Sequence, residues 1–240
     1  MWPVAKTPIL LFVLLFLVLQ GCSGLAGTRA WVDFSQFQDL KMDGEVALWL
    51  EGGEQSAVTD RIVAEAKSLS GANRRERLFR AMAHIWTTFS YDPWLNAEAF
   101  RRTAEELFTS RVLGGCSDFA LVEITLFRAL GIPSRMVITA NVDWMHCRPT
   151  DPLAMSEGHS FIEVFLEGKW YLVDTTYRYL FSGYDPESAS YPHGEYFCRR
   201  GKDFWDMGIR NLQDAEETIR QTAADYREDF QEPGYSKHPL

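Results

Sequence analysis

Gly114-Gly115-Cys116-Ser117-Asp118-Phe119-Ala120 is the stretch whose reading decides the fold. Two glycines deliver a cysteine to the start of an apolar-periodic run, residues 119–130, which Gly131 and Pro133 end. The pattern predicts a helix with the sulfur at or near its N-terminus. Unsatisfied amides and the helix dipole favour an anion there, so the thiol should ionise more readily than usual. A thiolate nucleophile needs a base and a group to orient that base. Gly158-His159-Ser160-Phe161-Ile162-Glu163-Val164 and Trp170-Tyr171-Leu172-Val173-Asp174-Thr175-Thr176 offer a histidine and a carboxylate.

Those two stretches form a hairpin signal. Residues 161–166 and 169–173 are apolar, aromatic and β-branched, with Glu167-Gly168 between them. A two-residue turn sets Leu166 opposite Lys169, hence Phe161 opposite Asp174 and His159 opposite Thr176. Side chains alternate faces with period two, so His159, Phe161 and Asp174 share a face. His159 and Asp174 are then diagonal neighbours, roughly 7–8 Å apart at the backbone, within reach of an imidazole–carboxylate contact. A one-residue slip would separate them.

The order Cys, His, Asp now carries a resemblance. The Gly-Cys-x-Asp-Phe-Ala stretch, the following Arg-Ala-Leu-Gly-Ile-Pro-Ser-Arg, the His-x-Phe-x-Glu-Val strand and the Trp-x-x-x-Asp-Thr-Thr strand resemble the transglutaminase-like superfamily of papain-like thiol enzymes. The likeness runs from about Asn73 to Tyr179 and includes Phe89-Ser90-Tyr91-Asp92 and Thr103-Ala104-Glu105-Glu106-Leu107. It implies an α+β fold of papain-like, transglutaminase-core type: N-terminal helices, and the Cys116 helix packed on an antiparallel sheet containing 135–140, 161–166 and 169–173. It implies a Cys116, His159, Asp174 triad. The superfamily includes cross-linking enzymes, proteases, amidases and silent relatives, so the likeness does not choose a substrate.

The N-terminus reads as an address. Lys6 supplies a positive charge, residues 8–19 are unbroken apolar, and Leu19-Gln20-Gly21-Cys22 resembles a lipobox. The run is short for a membrane span, which favours a cleaved signal; a plain secretory signal or an uncleaved anchor are the alternatives. The expected organisation is a lipoprotein signal peptide over 1–21, lipidated Cys22 and a short tether over 22–29, and one domain over 30–240 with its core at about 73–180. Multiple acyl chains on Cys22 would anchor the chain stably. That implies a bacterial cell envelope, and Ser23 after the cysteine suggests the outer membrane, facing the periplasm.

The chain has 240 residues and a net charge of −9, with no uninterrupted basic stretch, so nucleic acid is not an expected partner. No calcium loop, P-loop or dinucleotide fingerprint occurs, and neither cofactor nor metal is expected. His146-Cys147 and His193…Cys198 supply four metal-type ligands on paper, at a spacing that matches no zinc pattern. Cys147 and Cys198 are otherwise a disulfide or two buried free thiols.

Helical periodicity is expected through residues 58–69, 78–89, 103–109 and 212–230. Residues 30–54 follow no clear pattern. Residues 141–158 read as a long loop and 179–201 as an irregular surface rich in Tyr, Pro, Gly and Ser.

A cysteine in a helical pattern is ordinarily a small buried hydrophobe. The Gly-Gly turn and the downstream partners single out Cys116, and the hairpin register singles out His159. His84, His146, His193 and His238 carry no such support. Asp118 should brace the helix and Glu163 should pair structurally. The oxyanion hole should use the Cys116 amide plus a second donor, with Tyr91 and Trp94 as candidates by position.

The expected chemistry is thiol acyl transfer: attack on a protein or peptide amide, a thioester, then hydrolysis, with cross-linking to an amine as the alternative. Peptidoglycan stem peptides fall within that substrate class. The accessory barrels of animal transglutaminases are not seen in this sequence, which favours hydrolysis over cross-linking. A catalytically silent scaffold or binding protein of the same fold is the third reading.

Overall fold

The computed structural model describes residues 44–147 and 155–239. The expected signal peptide, Cys22 and the tether lie outside the described residues.

The chain opens with a single helical turn, α1 (Gly44–Ala47), and then two amphipathic helices, α2 (Asp60–Lys67) and α3 (Arg74–Thr88). Asn73 caps α3 by accepting the Glu76 amide. A two-residue strand β1 (Ser90–Tyr91) and a 3-10 segment (Pro93–Glu98) lead to α4 (Ala104–Ser110), which a Thr103–Glu106 capping box starts. Strand β2 (Val112–Leu113), parallel to β1, feeds the glycine turn and then α5 (Cys116–Ala129).

Helix α5 is mostly apolar, and all its residues after Cys116 are buried, Asp118, Glu123 and Arg128 included. Such a helix belongs inside a core. Helices α2, α3 and α4 pack around it, and the sheet closes the remaining side. Fully burying a Leu or Phe side chain is worth about 1.5–3 kcal/mol. Truncating Phe127, which has no exposed surface, should therefore cost about 3–5 kcal/mol.

The chain continues through β3 (Ser134–Asn141), α6 (Val142–Cys147), β4 (Ser160–Leu166), β5 (Lys169–Asp174), β6 (Tyr179–Ser182), β7 (Ser190–Tyr191), β8 (Glu195–Gly201), α7 (Leu212–Asp225) and β9 (Ser236–Pro239). Seven strands form one antiparallel sheet in the order β7-β8-β3-β4-β5-β6-β9. One face, with Ile138, Ile162, Val164 and Val173, packs on α5; the other gathers Val137, Phe161, Leu172, Phe181, Tyr184 and Tyr191. The fold is α+β, with the cysteine helix laid on an antiparallel sheet.

Three expectations need correction. Residues 179–201 are not an irregular surface: they hold β6, β7 and β8, and β8 pairs with β3 in the middle of the sheet. Their turn-forming residues mark bends, with Gly183, His193 and Gly194 at positive φ. Within 141–158 the chain makes α6 before continuing outside the described residues. Helix α7 ends at Asp225 because Tyr226 takes an extended conformation, several residues short of the expected 230.

Candidate active site

Cys116 is the first residue of α5, and Gly115 is the N-cap. The approach is tight. A Cβ on Gly114 would lie 2.5 Å from the Leu95 carbonyl carbon, so the 3-10 segment leaves room only for glycine. The turn is braced by Asp118, whose Oδ2 accepts the Gly114 amide at 2.7 Å and pairs with Arg102. This is the bracing role expected of Asp118.

His159 immediately precedes β4. Thr139 on β3 donates its amide to the His159 carbonyl at 3.0 Å and its hydroxyl to the same oxygen at 3.2 Å. The preceding Gly158 lies so close to β3 that a Cβ there would meet the Thr139 carbonyl oxygen at 2.2 Å. The imidazole is thereby held at the end of the strand. In the hairpin, Leu166 pairs with Lys169 and Ile162 with Val173, the register that a two-residue turn favours. His159 Nε2 reaches Asp174 Oδ1 at 3.2 Å, leaving Nδ1 for Cys116, which lines the same cleft and is close enough for each group to shift the other's ionisation.

Asp174 is fully buried. Its Oδ1 also accepts the Thr176 amide at 3.1 Å and the Tyr177 amide at 3.0 Å. Burial works against its charge, but the bonds to His159 and His193 and the Tyr177 amide hold it well below the usual carboxylate range. Burial likewise opposes charge on Cys116. The His159 hydrogen bond and charge, Ser160 and the Ser117 amide outweigh it, and the thiol falls below its ordinary value. Burial would push His159 down, whereas Asp174 and Cys116 raise it well above an ordinary imidazole. Both directions favour a thiolate–imidazolium pair.

Cys116 and His159 line a cleft of about 150 Å³ with Ala99, Phe100, Ile138 and Ile219 on its apolar side. Neither Tyr91 nor Trp94 is among the lining residues; Asn96, from the segment that carries Trp94, is. The side-chain amide of Asn96 is a donor that position along the chain had not singled out. A second groove, about 470 Å³, lies beside β7 and the residues after α7 and contains none of the three.

Glu163 pairs with Arg135 and Arg200 and accepts from Tyr184 and Tyr191. It braces the face of the sheet away from α5, a structural role as expected. Cys147 and Cys198 are separate free thiols, the first exposed and the second largely shielded. His193 is the residue that sequence reasoning missed. It lies 3.3 Å from Asp174 Oδ2, and only a correct reading of 179–201 as strands would have brought it there.

No curated protein matches the sequence. Among solved structures, a candidate cysteine protease from Cytophaga hutchinsonii superposes with a TM-score of 0.51 at 22% identity, covering 70% of this chain and 51% of that one. A candidate protease from Parabacteroides distasonis matches with a TM-score of 0.36 at 16% identity over 53% and 25% of the two chains. A TGase matches with a TM-score of 0.33 at 12% identity over 65% and 38%. The chain therefore spans about half the length of the first and less of the others. At these identities the likeness concerns the fold. Residues 57–175 match the sequence model of the transglutaminase-like superfamily. With the Cys116 helix, sheet and register described above, residues 57–175 form a transglutaminase-like superfamily domain.

Proposed function

We propose that the protein is a thiol acyl-transfer enzyme that hydrolyses protein or peptide amides. The observation that carries this reading is the position of one imidazole, in the same cleft as the Cys116 sulfur and 3.2 Å from the Asp174 carboxylate. The Cys116 thiolate attacks the amide carbonyl. The Cys116 backbone amide, at the first position of α5, stabilises the developing oxyanion. His159 gives its proton to the leaving amine as the C–N bond breaks, leaving a thioester and a neutral imidazole. That imidazole then takes a proton from water as it attacks, the acid leaves, and the thiolate–imidazolium pair is restored. Asp174 holds the ring and stabilises its charged form.

The cleft has room for roughly one medium side chain beside the sulfur, and its apolar wall suits an apolar acyl side. Stem peptides of peptidoglycan lie within the substrate class if the chain is anchored in the envelope through Cys22, as its lipobox suggests. An electrophilic amide probe tests the enzyme reading. Stoichiometric labelling at Cys116 supports it, and an inert Cys116 would leave a silent scaffold. Adding a primary amine separates the two acyl acceptors, since incorporation outrunning hydrolysis would make the enzyme a cross-linker. Mass spectrometry of the membrane-extracted protein tests the anchor: acyl chains on an N-terminal Cys22 support it, and an intact leader overturns it.

A further inference from the structure

The catalytic carboxylate has two imidazoles on it. Asp174 Oδ1 faces His159 at 3.2 Å, and Oδ2 faces His193 Nε2 at 3.3 Å. The His193 contact is at ion-pair distance and short of hydrogen-bond geometry, so Oδ2 is a buried oxygen with no hydrogen-bond partner among the described residues. A buried carboxylate oxygen left alone is costly, so an imidazole 3.3 Å from it matters for where the carboxylate points. His193 comes from the tip of the β7–β8 hairpin, Pro192-His193-Gly194, far from Asp174 in sequence. It holds a left-handed backbone conformation, φ 68°, uncommon for a residue with a side chain. Its ring packs against Tyr177 at 5.0 Å, and Tyr177 also lies 6.0 Å from the His159 ring.

We propose that His193 is a positioning residue for the thiol chemistry, the fourth member of a chain Cys116, His159, Asp174, His193; the proposal rests on the acyl-transfer reading above. With Nε2–H donated to Oδ2, the carboxylate is held from both ends. The Thr176 and Tyr177 amides and His159 fix Oδ1, and His193 fixes the rotation that would otherwise swing Oδ1 away from His159. The sulfur feels this indirectly, through the imidazolium that Asp174 supports. The ionisable groups facing His193 are Asp174 from the end of β5, Tyr177 from the loop after it, and Glu195 at the start of β8, whose buried carboxyl senses both His159 and His193. His193 does not touch the sulfur and is 29% exposed, so it can be replaced without opening the core.

The test follows iodoacetamide alkylation of Cys116 between pH 5 and 9 in the full chain and two variants. His193→Gly suits the positive φ and removes the ring. His193→Gln carries an amide N–H that can reach Oδ2. We expect several-fold slower alkylation at pH 6 in His193→Gly and recovery of most of the rate in His193→Gln, with circular dichroism unchanged in both. A hairpin filler would leave His193→Gly as fast as the parent, or make the two variants equally slow, and either result overturns the proposal. If the parent itself alkylates no faster at pH 6 than an ordinary thiol, the acyl-transfer reading falls first and the positioning role with it. The imidazole proton resonances of His159 give a readout free of alkylation: they should move in His193→Gly and return in His193→Gln.

Discussion

Cys116 and Cys198 are two shielded thiols in one chain, pushed in opposite directions. Cys198 lies within β8 and packs against two apolar clusters, with the Tyr196 carbonyl 3.8 Å from its sulfur. Burial drives its pKa up to about 12. Burial acts on Cys116 as well, yet that thiol ends below its ordinary value because His159, backed by Asp174, supplies the opposite charge. Shielding alone makes an inert sulfur. Shielding beside an imidazole backed by a carboxylate favours the thiolate instead, the form that the proposed chemistry needs.

The largest expected effect is removal of the reactive member. Cys116→Ser should abolish amide turnover and probe labelling with the far-UV spectrum unchanged, and residual turnover would point to another nucleophile. Next is His159→Ala, which should make Cys116 behave more like Cys198. Alkylation at pH 6 should fall on the order of 100-fold as the thiol returns toward or beyond its reference value of about 8.5. If the rate holds, the helix N-terminus suffices by itself.

The pH profile sharpens the same contrast. The thiolate is lost as pH falls through the lowered Cys116 value, and the imidazolium is lost as pH rises through the raised His159 value. Activity should therefore hold a plateau that reaches below the thiol reference and above the imidazole reference. Asp174→Asn should draw the alkaline limb to lower pH by about one unit, and an unmoved limb would remove Asp174 from the site. The smallest effect belongs to Cys198→Ala, with a stability loss of about 1 kcal/mol in a denaturant titration and no change in turnover. A thiol reagent should reach Cys116 and the exposed Cys147 in the native protein, and Cys198 only after unfolding.

What could be read from the sequence was local. The nucleophile helix announces itself through Gly114-Gly115 and the apolar run, and the β4–β5 hairpin is set by Glu167-Gly168, so Cys116, His159 and Asp174 could be brought together on paper. Residues 179–201 failed because the pairing of β8 with β3 is long-range, and no periodicity in short aromatic strands announces it. Losing those strands also hid His193, which reaches Asp174 only when the β7–β8 turn is folded over the sheet end. Asn96 was hidden for a similar reason. Its approach to Cys116 depends on how the 3-10 segment crosses Gly114 and Gly115, a contact between segments distant in sequence.

Helix α5 is a rod sunk in the core with only its tip at the surface. The tip's surroundings come from separate pieces of chain: the 3-10 segment with Asn96, the approach to β4 with Ser156 and Gly158, Tyr177 after β5, the start of α7 with Leu212 and Glu216, and the β7–β8 turn with His193. Because the rod is anchored from below, the pieces that touch neither the glycine turns nor the imidazoles can be rewritten one at a time while the sulfur stays where it is. A retargeting library confined to Ser156, Leu212 and Glu216 should therefore change which acyl groups are accepted and leave melting temperature and Cys116 reactivity nearly constant, so that selectivity and stability become separately adjustable.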